Sequence, residues 1–596
     1  MNSKNTLFWL VVAAALFAFI FAFEHFLRPN GAEVTAILPD LQPASVTSVE
    51  VIPANALEIR ADRTNGAWRL TKPIAYPAQN TAIETLLAVL QKLTPAIRIS
   101  AGELREQHGA EADYGFETPS VSLVIEAGDQ RWQLLVGNKT APGDQVFLRL
   151  VGTDGAFVTD ADWLRYLPRS SDDWRDTALV NFQDGAPDWI ILTNGTKVIE
   201  LHRGATNLLW QMTRPLVARA NSGRIIEALQ RLEAARVSQF VTDNPKADLS
   251  SYELQPASLD LWLGRGTNLV TAIHIGKSPA TNSALVFAQH DGWNTVVTTA
   301  KEPLSPWFGT VNDFRDPYLL ELSAPVAEID VRGKSNFTLQ RQGSNDWRVA
   351  GEPFPIDAAS VQQFIKLLAN LRVAEFVKDV VTTPDWPAYG LATPAWQITL
   401  FSAAGDTNTA MGQLLFGATQ TNEVYVRRAD EDFVYAIPLE DFDQLPEAGW
   451  ELRERRIWNF SEAEVAQITI HQNGRTRQIL HNGANRWSLA PGSQGIIVPA
   501  AIEETAHQFG ELTAAAWLAH DAAEGQKFGF QPGNLSINLE LKDGTKHTVD
   551  FGISGSQTAV AAVTLDGERW VFVFPPVLYQ FVLSYLSIPA PPGGNP

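Results

Sequence analysis

Hydrophobic and polar positions along the chain follow two alternating periods. Short runs such as VTSVEVIP, ALEIRAD and AWRLTKP alternate or carry β-branched residues, which predicts half-buried strands. The stretch NTAIETLLAVLQKL instead sets Ile83, Leu86, Leu87, Leu90 and Leu93 at helical spacing. Its counterparts downstream are SGRIIEALQRLEA, DAASVQQFIKLLANL and PAAIEETAHQFGEL, with Ser222 and Asp357 as expected N-caps of the second and third helices. A strand follows the helix (AIRIS, RVSQFV), then an aromatic turn, then further strands such as SVSLVIEAG, QRWQLLVG, VFLRLVG and AFVTD. A helix with one apolar stripe buries it only against a sheet, so each such unit is expected to be α+β, an antiparallel sheet with one packed helix.

The two periods recur as a block of about 140 residues, four times in tandem. A Trp closes a strand in AWRL (Trp68), LWQM (Trp210), DWRV (Trp347) and RWSL (Trp487). A tight turn follows in DYGFETP (Tyr114), SYELQPA (Tyr252), AYGLATP (Tyr389) and KFGFQPG (Phe528). A strand then ends in glycine in LLVGNK (Gly137), IHIGKS (Gly276), LLFGAT (Gly417) and VDFGIS (Gly552). Recurrence of the aromatic residue at one place in every copy assigns it to packing, since a hydroxyl that Phe528 can replace is not chemistry common to all copies. The second turn has Glu253 where the others have Gly115, Gly390 and Gly529, which puts a positive φ there in question. The expected organisation is repeat units over 46–182, 183–322, 323–460 and 461–588, with a Pro/Gly-rich tail over 589–596.

Ahead of the repeats, TLFWLVVAAALFAFIFAF runs from Thr6 to Phe23 without a charge. It is about long enough to span a bilayer with its flanks, and ends in bulky residues rather than a small-x-small cleavage site. The expectation is an uncleaved transmembrane signal anchor over 6–26, after a short inside segment over 1–5 and before a stalk linker over 27–45. Lys4 and the amino terminus place the N-terminus inside and the bulk of the chain outside, in the periplasm of a bacterial cytoplasmic-membrane protein. The formal charge of −20 repels phosphate backbones, so nucleic acid is not an expected partner. The chain has no cysteine, which removes disulfides, thiolate metal sites and cysteine nucleophiles.

The short polar start before the apolar run (MNSKNTLFWLVV), and the W-x-L…P…A…helix…YGL-x-x-P layout from Trp347 to Pro394, resemble the DUF4340 family (domain of unknown function 4340) over essentially the whole chain. The resemblance implies an envelope component encoded beside an ABC-type transporter and an auxiliary protein like those of the gliding-motility export system. It implies no catalytic residues.

No motif supplies independent chemistry. The ten histidines are scattered, none in an H-E-x-x-H arrangement, and His507 and His520 have no acid or third ligand placed with them in sequence. GKS at Gly276–Ser278 lacks the first glycine of a phosphate loop, Thr271 standing there, and aligns with three other strand-ending glycines. GISGS at 552–556 has the wrong spacing for a nucleophile elbow, and TDADW and RADEDF lack the alternating oxygen ligands of a calcium loop. No cofactor, metal site or catalytic residue is therefore expected, and the ligand is left open.

One polar motif does recur. DWRDTALVNF (173–182), DFRDPYLLEL (313–322) and ELRERRIWNF (451–460) fall at the three junctions between four units. Arg175 with Asp176, Arg315 with Asp316, and Arg453 with Glu454 are read as connectors, each Arg held by a nearby carboxylate or carbonyl. The apolar tails are expected to enter the next sheet. The functional expectation is a membrane-anchored extracytoplasmic scaffold or binding protein without catalytic activity, an auxiliary of a transporter complex. The alternative is an envelope hydrolase or glycan-active enzyme, which would need one unit to break the symmetry with a cleft of converging carboxylates.

Overall fold

The structure, a computed structural model, describes residues 15–18, 35–106, 109–182, 185–404, 407–520, 526–552 and 559–588. It divides into two compact units, Met1–Phe314 and Arg315–Pro596, each holding two antiparallel sheets. The sheets have nine, nine, eight and eight strands.

In the first sheet, β1 (Ser48–Pro53), β2 (Ile59–Thr64), β3 (Ala67–Lys72) and the two-residue β4 (Tyr76–Pro77) form one meander. The chain then forms helix α1 (Asn80–Gln91) and runs to β5 (Ile97–Ile99) at the opposite edge. A second meander, β6 (Val121–Ala127), β7 (Gln130–Lys139), β8 (Gln145–Leu150) and β9 (Ala156–Asp160), fills the gap, with β1 on β6 and β9 on β5. The other three sheets repeat this order, the last two without the two-residue strand. The period-two pattern explains why. On β3, Trp68 and Leu70 are buried between exposed neighbours, and α1 buries Ile83, Leu86, Leu87 and Leu90 on the same side. Helices at Ser222–Ala234, Ala358–Asn370 and Pro499–Gly510 do the same for their sheets.

Several expectations change. The α+β class with an N-terminal membrane helix is corrected to a mostly β architecture. The helix period was read rightly in each unit, but each such helix is only 12 or 13 residues beside eight or nine strands. Among the described residues no helix is long and apolar enough to cross a membrane. Apart from 15–18, the stretch 6–26 lies outside the described residues, as do the inside segment over 1–5 and the tail over 589–596.

The stalk expected over 27–45 is, in its described part, built into the first core. Ile37, Leu38 and Leu41 are buried there, and Ile37 N donates to Leu93 O at 2.9 Å. Ser222 is not a cap. Asn221 caps that helix through Arg224 N, and the Ser222 hydroxyl accepts from Trp210 N at 2.9 Å; Asp357 does cap the third helix.

The aromatic turn and the strand glycine are one device. A Cβ on Gly137, Gly276, Gly417 or Gly552 would overlap the carbonyl oxygen of Tyr114, Tyr252, Tyr389 or Phe528 respectively. Asn138 N and Lys277 N donate to the Tyr114 and Tyr252 carbonyls at 2.8 and 3.0 Å. The turn thus lies against the sheet face opposite the helix. Tyr114 stacks on Phe147 at 4.4 Å, Tyr252 meets Phe287 edge-on at 4.8 Å and Tyr389 meets Tyr425 at 5.0 Å, while Phe528 packs beside Ala562 and Val571. Glu253 keeps the left-handed turn (φ 54°) despite its side chain, because the same close approach fixes the backbone there.

Candidate functional site

The recurrent Arg motifs are the most elaborate polar constellations, and each grows from the same local structure. A 3-10 turn or one short helical turn precedes each Arg: Ser171–Trp174, Val311–Phe314 and Gly449–Leu452. The first acid of each motif caps that turn. Asp173 accepts from Ser170 N at 3.1 Å, Asp313 from Thr310 N at 2.7 Å and Glu451 from Ala448 N at 3.1 Å. The Arg backbone then bridges to the edge of the sheet just completed, Arg175 with Ala78 and Arg453 with Ile356.

Arg175 is 1% exposed. Its guanidinium lies over Tyr76 of the first sheet (5.1 Å) and Phe240 of the second (4.4 Å), and donates to Asp243 at 2.5 Å. Asp172 stands at 3.5 Å; burial pushes its carboxyl above the ordinary range against the opposing pull of Arg175. Arg453 is placed alike, over Trp570 (4.2 Å) and Phe354 (5.6 Å) and 3.1 Å from Asp566. Arg315 lies over Phe376 (4.0 Å) and Phe433 (4.8 Å) and pairs with Asp379 at 2.5 Å. Asp176 and Asp316 accept from the N–H two residues on, at 2.9 and 3.0 Å, closing the bend. The partners Asp243, Asp379 and Asp566 were not singled out in sequence, because they lie 68, 64 and 113 residues from their arginines.

The apolar tails were expected to enter the next sheet. They make single bridges instead, Ala178 to Arg236, Tyr318 to Arg372 and Arg456 to Thr513, beside the stretch that leads into the edge strand. Leu179, Val180 and Phe182 then join the second core. Leu179 N, Leu319 N and Ile457 N donate to Ala235, Leu371 and Leu512 carbonyls as Ile37 N does to Leu93, so the first unit also opens with such a tail, AILPDL.

The strand-closing Trp68, Trp210, Trp347 and Trp487 are all buried. The indole N–H of Trp68 donates to Glu84 and that of Trp487 to Glu503, each on the unit's helix. The histidines do find single acids: His507 with Glu462 at 3.0 Å, and His520 with Glu568. His274 lies between Asp260 (2.5 Å) and Asp291 (3.3 Å). Among the described residues no group of three or more His, Asp or Glu could hold a metal ion. The acids of RADEDF serve Arg428, which is buried, paired with Asp430 at 2.7 Å, and donates to Leu319 O.

A cavity of about 580 Å³ opens on the fourth sheet, lined by His471, Thr476, Phe530, Ser536, Asp550 and Arg569. It holds one carboxylate, Asp550, which is engaged by Ser536 at 2.8 Å and Arg569 at 3.3 Å. That is not the pair of carboxylates acid–base hydrolysis needs. A smaller cavity of about 380 Å³ beside the third helix includes Glu451. Burial, with Glu447 nearby, raises the Glu451 carboxyl to about 7.

The model of one protein family, described as "Domain of unknown function (DUF4340)", matches residues 68–207, 210–379 and 347–531. No curated protein matches the chain at a significant level.

Proposed function

We propose a role from one premise: the chain belongs to the DUF4340 family. The role is that of a non-enzymatic scaffold or binding protein outside the cytoplasm, held at the membrane by the apolar run Thr6–Phe23 and working with the subunits of a transporter complex. The observation that carries it is the use of the recurrent polar motifs. The guanidinium of Arg175 is enclosed by rings of two successive sheets, and that of Arg453 likewise. Groups sealed in this way serve to hold the two sheets of a unit together, and paired sheets offer their outer faces to partners. Transporter subunits as partners follow from what the family resemblance implies.

The test is purification of the full chain from its own membranes in mild detergent, with the co-purifying proteins identified by mass spectrometry. Transporter subunits in stoichiometric amounts are expected. Recovery of the chain alone, after crosslinking in intact cells as well, would refute the role.

A further inference from the structure

The fourth sheet differs from the others at one buried position. In every sheet the second strand pairs with the Trp strand: Arg63 with Trp68, Arg203 with Trp210, Arg341 with Trp347 and His481 with Trp487. Four residues before those partners stand Ile59, Ile199, Phe337 and Arg477, all buried. Three copies thus bury hydrocarbon where the fourth buries a guanidinium, 3% exposed. Among the described residues Arg477 forms no ion pair, its Nε has no partner, and burial lowers its pKa. A buried charge without an acid is costly unless something else compensates it.

The compensation comes from two carbonyls. Arg477 Nη2 donates to Ile496 O at 2.7 Å and Nη1 to Ser587 O at 3.3 Å. Ile496 lies two residues before the helix cap Val498, as Pro77 and Pro355 lie two before the caps Gln79 and Asp357. In those two sheets the same carbonyl accepts a backbone N–H from the joint: Asp176 N to Pro77 O and Glu454 N to Pro355 O, both at 2.9 Å.

We infer that Arg477 closes the edge of the fourth sheet: its guanidinium stands in for the joint's backbone donor, so this edge refuses the strand-type docking by which the first and third sheets receive a joint. An edge with open carbonyls is a template for pairing with another chain, and a charged side chain turned onto it is one way to blunt it. Ile496 itself is 90% exposed, so a second copy that paired with its freed carbonyl would also bury its side chain.

The experiment uses the full chain and a synthetic peptide of residues 171–182 (SDDWRDTALVNF) as the probe. Arg477→Ile restores the hydrocarbon of the other three copies and frees the Ile496 carbonyl. The variant is expected to bind the peptide at least about tenfold more tightly than the wild type by fluorescence anisotropy, or to self-associate in sedimentation velocity. Arg477→Met gives the same readout should isoleucine fill the site poorly. If both variants stay monomeric and bind the peptide no better than the wild type, the closing role is wrong. Equal, tight binding by the wild type would overturn it as well.

Discussion

Gly137→Ala tests the coupling of turn and strand that every unit shares. The added Cβ would overlap the Tyr114 carbonyl oxygen and crowd the Phe116 ring, so either β7 or the turn must move. Moving it breaks the Asn138 N to Tyr114 O hydrogen bond, worth about 1 kcal/mol net. It also disturbs the Tyr114–Phe147 stack, and overpacking adds about 1–3 kcal/mol. The expected loss is therefore about 3 kcal/mol, confined to the first sheet. The assay is hydrogen exchange of β7 amides in the full chain, since a chain with several cores does not unfold in two states. Gly128→Ala is the control: its φ is 57° but nothing lies within 4 Å, so only backbone strain of about 1 kcal/mol applies. If Gly137→Ala costs no more than Gly128→Ala, close approach is not what selects glycine there.

Further outcomes follow from the same geometry. Glu253→Gly should stabilise the second sheet by about 0.5–1 kcal/mol, because a non-glycine residue at φ 54° is strained; an unchanged or lower opening free energy of second-sheet amides in hydrogen exchange would count against this. Arg315→Ala should raise protease cleavage and exchange around Glu375–Lys378, where the guanidinium now covers Phe376, by about tenfold or more; unchanged rates would remove its structural role. Glu451 has a folded-state pKa of about 7 against 4.5 for the free group, so the folded form binds the proton more tightly. Its contribution should therefore be full below about pH 4.5 and be lost as pH rises to 7, by about 1–2 kcal/mol once its partial exposure is allowed for. The groups facing it are Glu447, Lys334, Asp357 and Arg455. Glu451→Gln should flatten that slope in the opening free energies of Ala358–Asn370 amides, read by hydrogen exchange at successive pH values, and a slope that persists would assign it elsewhere.

Local periodicity made the repeated elements legible. Trp68 and Leu70 alternate with polar neighbours, and Ile83, Leu86, Leu87 and Leu90 fall on one helical stripe, so strands and helix could be placed from spacing alone. The balance of fold class was not legible: short strands such as Ile97–Ile99 and Trp347–Val349 were placed within AIRIS and DWRV, but spacing alone did not show that eight or nine strands join one sheet beside a single helix of 12 or 13 residues. The first tail was missed for a different reason. AILPDL lacks the Arg that marks the later junctions, so Ile37, Leu38 and Leu41 read as linker. The motif acids were noticed while the arginines' partners were not, since proximity in sequence favoured Asp176 and only the fold brings Asp243 to Arg175. Arg477 was hidden in TRQIL, where nothing distinguishes an inward arginine from a solvated one until the strand register is known.

The central claim is that the recurrent Arg motif is a joint between sheets, and a double-mutant cycle on Arg175→Ala and Asp243→Asn measures it most directly. The readout is the opening free energy of Val237–Thr242 amides in the full chain. Arg175 is sealed while Asp243 is about one-third exposed, so a coupling of about 1–2 kcal/mol is expected, with Arg175→Ala the more damaging single change. Coupling below about 0.3 kcal/mol, with second-sheet amides unmoved by Arg175→Ala, would contradict the joint and leave the motif to some other purpose.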